Sequence, residues 1–151
     1  MRILALLAAV FIATPAFAAD PVEGLWLTQN ERSVINVYEC DQGLCGDIYW
    51  IIDGGMQYDT KNPDASKHKD PMCGLRILYG FEKDEVGEWE DGKIYKADEG
   101  DVYNANVEIN DNGTLKVRGY VGISMFGKSQ KWTKVSADDY AQCNAPANAD
   151  N

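Results

Sequence analysis

The chain has 151 residues, 14 Lys and Arg against 24 Asp and Glu, and a net charge of −10. Such a surface repels nucleic acid and anionic lipid, which excludes the binding classes that work by neutralising phosphates. The length suits one domain that buries roughly two-thirds of its unfolded surface around a single core.

The first element is an export signal. The opening MRILALLAAVFIATPAFAAD places Arg2 before an apolar run from Ile3 to Ala13, then Pro15, then Ala16-Phe17-Ala18 in the small-x-small pattern that a signal peptidase reads. Residues 1–18 are therefore expected to be cleaved, and 19–151 to form a single domain that is periplasmic or secreted. The apolar run is shorter than the roughly 20 residues a spanning helix needs, and no later stretch approaches that length, so the chain is not expected to be embedded in a membrane. Arg2 is the sole charge removed with the signal, so the exported chain is still more acidic.

After residue 18, apolar residues recur with period two between turn residues, and no stretch holds a helical period over three turns. The predicted strands are GLWLTQ (24–29), SVINVYEC (33–40) and LCGDIYWII (44–52). A long polar loop follows, 53–74, and then LRILYGFEK (75–83). Beyond a turn predicted at Gly92 come KIYKA, VYNANVEI (102–109), LKVRGYVG (115–122) and QKWTKV (130–135), with Asn112-Gly113 marking the tightest hairpin. In VYNANVEI the alternation sets Tyr103, Ala105, Val107 and Ile109 on one face and Asn104, Asn106 and Glu108 on the other. Seven or eight such strands at short spacing define an all-β domain, either a sandwich or a barrel closed by neighbouring hairpins.

Cys40, Cys45, Cys73 and Cys143 all fall in the exported part, where an even count implies pairs. A zinc site wants two close pairs or neighbouring histidines, yet Cys73 and Cys143 stand alone and His68 is the only His. A redox pair is normally C-x-x-C at the start of a helix, whereas Cys40 and Cys45 flank a turn between two strands. Staples are the better reading: Cys40–Cys45 across the turn and Cys73–Cys143 tying the C-terminal tail to the body, with the crossed pairings left open by sequence alone.

Catalytic chemistry finds little support. The cysteines are expected to be paired, His68 lies in a Lys- and Asp-rich loop, and none of G-x-S-x-G, H-E-x-x-H or a phosphate-cradling glycine motif occurs. Asp47, Glu88, Glu90 and Asp101 supply carboxylates in plenty, but no spacing marks two as a pair. Asp59, Asn62 and Asp64, and again Asp98, Glu99 and Asp101, offer the hard oxygens calcium takes. Asx turns account for both groups without an ion. Neither an enzyme, a cofactor nor a metal site is expected.

Gly24-Leu25-Trp26 opens the first strand after the signal, and Lys131-Trp132-Thr133-Lys134 lies in the last. The G-x-W opening resembles the lipocalin signature, in which the Trp closes the barrel base and a basic residue of the last strand packs over it. A second resemblance covers nearly the whole exported chain. GLW, YECDQGLCGDIYW, DTKNPD, DPMCGLRIL, GKIYKADEGDVYNA, LKVRGYVG and FGKSQKWTK, in that order, resemble a bacterial family of small exported proteins known only as a domain of unknown function with lipocalin-like barrels. Members usually carry Arg-x-Arg-Pro-Leu where this chain has His68-Lys69-Asp70-Pro71-Met72, Pro in place of Ala97, and Arg in place of Lys134. The resemblance implies a lipocalin-like, antiparallel, up-and-down β-barrel of about eight strands in which Gly24, Trp26, Trp132 and Lys134 are structural.

An eight-stranded barrel is just wide enough to be filled by side chains or to hold one small ligand. GYVGISMFGKSQ (119–130) sets glycines around Ile123, Met125 and Phe126, as a mobile apolar lid requires. The expected function is binding of a small apolar or amphipathic ligand at a mouth lined by Trp50, Tyr58, Met125 and Phe126. The alternative is a filled barrel whose acidic surface serves as an envelope protein-interaction or inhibitory module.

Overall fold

Alternating strands joined by short turns leave each hairpin with one dry face, and closing the sheet on itself buries all of those faces together. The computed structural model describes residues 19–145, so the expected export signal at 1–18 lies outside the described residues. Within them the strands are β1 (Gly24–Leu27), β2 (Ser33–Cys40), β3 (Gly43–Ile51), β4 (Arg76–Tyr79), β5 (Glu82–Lys83), β6 (Trp89–Lys96), β7 (Asp101–Ile109), β8 (Leu115–Tyr120) and β9 (Lys128–Val135). Strands adjacent in sequence pair antiparallel, except that β4 and β5 both pair with β6, and β1 pairs back onto β9 with Leu25 opposite Val135 and Trp26 opposite Lys134. β4 and β5 meet β6 in one unbroken register, Tyr79 opposite Lys93 and Glu82 opposite Glu90, so they are one strand interrupted at Gly80-Phe81. The result is a closed, antiparallel, up-and-down barrel of eight strands.

Side-chain alternation behaves as the sequence predicts. On β7, Ala105 and Val107 are buried in the core, with Val117 and Leu115 of β8 and Ile35, Val37, Leu44 and Leu78 from the far wall. Asn104, Asn106 and Glu108 take the outer face, where the Glu108 carboxylate pairs with Lys116 across the β7–β8 ladder. The Asn110–Thr114 turn carries Asn112-Gly113 where the hairpin was predicted.

One turn was misplaced. Gly92 lies inside β6, and the chain reverses instead around Asp84–Glu88. The register of β6 against β7 slips between Trp89 and Gly92, a bulge in which Asp91 takes a positive φ of 56°. The reason for glycine here is coverage: a Cβ on Gly92 would stand 2.3 Å from the Phe81 ring, which lies over the bare backbone. An aromatic over a strand glycine fills the gap that the missing side chain leaves.

Two disulfides are present, Cys40–Cys45 across the β2–β3 turn and Cys73–Cys143 from the long loop to the C-terminal segment, as expected. The second lays that segment along β3, where the Cys143 amide donates to the Tyr49 carbonyl at 2.8 Å and Tyr140 meets the Trp50 ring edge-on, centroids 4.9 Å apart.

Candidate functional site

The barrel has a sealed end and an open one. At the sealed end Trp26 is fully buried and its indole Nε1 donates to the Val22 carbonyl at 2.8 Å. Lys134 Nζ stands 5.0 Å from the centre of the Trp26 ring and donates to the Glu23 carbonyl at 2.9 Å. Asp20 accepts from the Val22 amide and pairs with Lys83, whose ammonium lies over the Trp89 ring. The segment before β1 thus plugs the base, with aromatic faces and cations layered over it.

At the open end two cavities share Ile94, Lys96 and Gln130 as a common wall. The larger, about 430 Å³, runs between β6, β7, β8 and β9 and is lined by Tyr103, Val117, Gly119, Phe126 and Lys128 in addition to the shared wall. The smaller, about 150 Å³, has Trp132 at its floor and Ile48, Ile51, Met56, Met72 and Ile77 around it. The larger volume falls within the ~300–1,000 Å³ usual for small-molecule sites, and its mixture of apolar walls with a few polar groups is typical of them.

Two polar arrangements hold the rim in place. The Lys96 ammonium pairs with one oxygen of Glu99, and the Tyr103 hydroxyl donates to the other at 2.8 Å. The Lys96 hydrogen bond is the main reason the Glu99 carboxyl sits below the usual range, followed by Tyr103's, and the Glu99 carboxylate in turn raises Tyr103. On the other side, the long loop is tied down through Asp59, which is 1 % exposed and accepts from the Tyr95 hydroxyl at 2.6 Å and from Asn62 Nδ2 at 2.7 Å. Burial first, and then the Asp59 hydrogen bond, push the Tyr95 hydroxyl well above its ordinary value. Asn62 Oδ1 caps the Asp64 amide and Asp64 Oδ1 caps that of Ser66, the Asx turns that explain this cluster of oxygens without an ion.

Of the four residues expected at the mouth, Phe126 lines the larger cavity, while Trp50, Tyr58 and Met125 line neither. Trp50 is turned away by a bulge: β2 pairs Val34 with Trp50 but Ile35 with Ile48, which leaves Tyr49 as the extra residue. Alternation from Ile48 would carry Trp50 into the barrel; the added residue delivers Ile51 instead. Tyr58 forms an isolated bridge with Pro71. Met125 sits 74 % exposed on the short 3₁₀ turn Ser124–Phe126.

That turn is fastened to the barrel. Arg118 donates to the Ser124 carbonyl at 2.7 Å and to that of Met125 at 3.1 Å, and a Cβ on Gly127 would come within 2.7 Å of the Gly119 carbonyl. Gly127 thus packs closely against β8, while Gly122 takes a positive φ of 74° in the turn before Ser124. Gly119, paired with Ala105 on one side and Lys128 on the other, leaves room in the larger cavity. Lys96, Gly119, Lys128 and Gln130 were missed, although period two back from Trp132 puts Gln130 and Lys128 on the inner face.

An up-and-down barrel of eight strands, sealed over a buried tryptophan and cupped at the opposite end, defines the lipocalin-like class of β-barrels. The chain belongs to a bacterial family described as "Uncharacterized protein conserved in bacteria (DUF2147)", which matches residues 24–134. Among solved structures the chain is similar to protein HP1028 from the human pathogen Helicobacter pylori, described as belonging to the lipocalin family. The TM-score is 0.69 at 22 % identity, over 78 % of this chain and 85 % of that one, a likeness of fold. No curated protein matches the chain by sequence.

Proposed function

We propose that this protein is exported and binds one small apolar or amphipathic molecule in the open end of its barrel. The observation that carries the reading is the larger cavity: the interior is packed solid at the Trp26 end, yet about 430 Å³ is left open between β6 and β9. Binding, rather than catalysis, is what the side chains support. All four cysteines are paired, and the His68 ring Nε2 donates to the Asn62 carbonyl in an exposed loop. Export is supported by the two disulfides together with the Ala16-Phe17-Ala18 cleavage pattern.

No helix among the described residues is long and apolar enough to cross a membrane. The outer faces of β7, β8 and β9 carry Asn104, Asn106, Glu108, Lys116, Arg118, Ser129 and Lys131, which is not the apolar band that a lipid-facing barrel needs. The test is the native mass of protein taken from the exported fraction without detergent, against its denatured, non-reduced mass. An excess that disappears on denaturation is the expected result, and its size gives the ligand's mass.

A second reading rests on a different feature. Val121, Ile123, Met125 and Phe126 are all more than half exposed beside the rim, an apolar lip that an envelope protein partner would cover. Under that reading the native mass shows no excess, and a partner is retained whose binding survives salt because the contact is apolar.

A further inference from the structure

The larger cavity, taken as the ligand site proposed above, is more specific than its apolar walls suggest. We propose that it takes a single-chain amphiphile with one negatively charged head, the head seated against Lys128 beside Lys96 and the chain running past Gly119 toward Trp132.

The charge around the mouth is opposite to that of the molecule. The protein carries −10 overall, yet the two cavities are lined by Arg32, Lys96 and Lys128 against Asp98 and Glu99. Asp98 lines only the smaller cavity, and the one acid lining the larger, Glu99, is already engaged, giving one oxygen to Lys96 and the other to Tyr103. Lys128, by contrast, makes no ion pair and donates no side-chain hydrogen bond among the described residues, so of the two cations lining the larger cavity it is the one with capacity left for a ligand. Within the larger cavity a cationic head would find no carboxylate free and two ammoniums nearby. A neutral head would cover Lys128 without compensating its charge, a loss that a charge-assisted hydrogen bond avoids. A head with several negative charges would meet Glu99 and the acidic surface, so one charge fits best.

The path for the chain follows from the register. Lys128 lies directly opposite Gly119 on the inner face, so the space beside its stem is empty. A Cβ added at Gly119 would meet Ile94 Cγ2 at 3.6 Å and Tyr103 Cβ at 3.8 Å, ordinary contacts, so this glycine is not required by crowding; it sets the width of the cavity. Ile94 and Gln130, shared by both cavities, lead on to the Trp132 floor.

The experiment compares a fluorescent polyene fatty acid with the alcohol of the same chain, in the parent, Lys128→Met, Lys128→Arg and Gly119→Val. In the parent the acid is expected to bind about tenfold more tightly than the alcohol, the scale of one charge-assisted hydrogen bond. Lys128→Met should bring that ratio close to unity by weakening the acid alone, and Lys128→Arg should keep it. Gly119→Val should weaken both probes to a similar degree, with Gly119→Ala as the milder change if the valine impairs folding. Equal binding of acid and alcohol by the parent, or a ratio that survives Lys128→Met, overturns the head-group assignment and leaves the binding reading standing. Unchanged binding in both Gly119 variants overturns the path of the chain. If neither probe binds the parent, this inference and the binding reading fall together.

Discussion

Lys134 reaches across the base of the barrel to Trp26, its ammonium 5.0 Å from the ring centre, and a second contact, to the Glu23 carbonyl at 2.9 Å, holds it there. The pair joins the first and last strands of the barrel and fastens the plug that precedes β1. Because Lys134 is exposed, the cation–π contact and hydrogen bond together contribute about 1 kcal/mol. Lys134→Met is expected to lower the melting temperature by roughly 4 °C, and Lys134→Arg to leave it unchanged. A methionine variant that melts with the parent would show that the pair is incidental.

Gly92 and Phe81 form a lock of a different kind. A side chain at Gly92 must displace the ring that covers it, so Gly92→Val is expected to cost about 1–3 kcal/mol in urea unfolding. With Phe81→Ala the obstruction is gone, and the same substitution should cost much less. Additive costs in the double variant would mean that the strain lies in the backbone at Asp91 instead.

The two disulfides should differ in weight. In the chain-entropy model the Cys40–Cys45 bond, closing 5 residues, contributes about 2 kcal/mol, and the Cys73–Cys143 bond, closing 70, about 4 kcal/mol. Replacing Cys73 and Cys143 by Ser should therefore destabilise more than replacing Cys40 and Cys45. It should also release Tyr140 from Trp50, shifting tryptophan emission to the red while Trp26 and Trp132 stay buried. Equal losses for the two pairs would count against the entropic account.

Glu88 provides a pH signature. A hydrogen bond with Glu108 is the first cause that holds its carboxyl above the usual range, with the Glu108 charge and partial burial adding to it. An acid whose folded value is raised binds its proton more tightly when folded, so its contribution favours the fold at low pH and is lost as pH rises through the raised value. Glu88→Gln is expected to stabilise the protein at pH 7 by a few tenths of a kcal/mol, since the site is largely solvated, and to have little effect near pH 4. A larger gain at pH 4 than at pH 7, in parallel thermal melts, would reverse the sign and refute the assignment.

The strands were legible because each one is half dry: VYNANVEI, LKVRGY and SVINVYEC carry their inner residues at every second position. Legibility failed where a bulge breaks that count. The slip between Trp89 and Gly92 hid the first half of β6, because the Phe81 ring that justifies Gly92 comes from a neighbouring strand. The slip at Tyr49 reversed Trp50, so an aromatic that alternation assigns to the barrel packs against the C-terminal segment instead. The mouth was sought among conspicuous aromatics and methionines, whereas its polar part is built from Lys96, Lys128 and Gln130, legible only once Trp132 fixes the phase of β9.

The ladder between β1 and β9 joins Leu25 to Val135 and Leu27 to Thr133, residues at opposite ends of the barrel sequence. Most other pairings are hairpins, the β3–β4 pair across the long loop being the exception, so they can form before the last strand has been made, and the Cys40–Cys45 loop can be locked at that stage. Closure has to wait for the last strand to appear. Until then β1 offers an unpaired edge, the condition in which one chain adds onto another, and the slow step of maturation and its main risk of aggregation fall at the same seam.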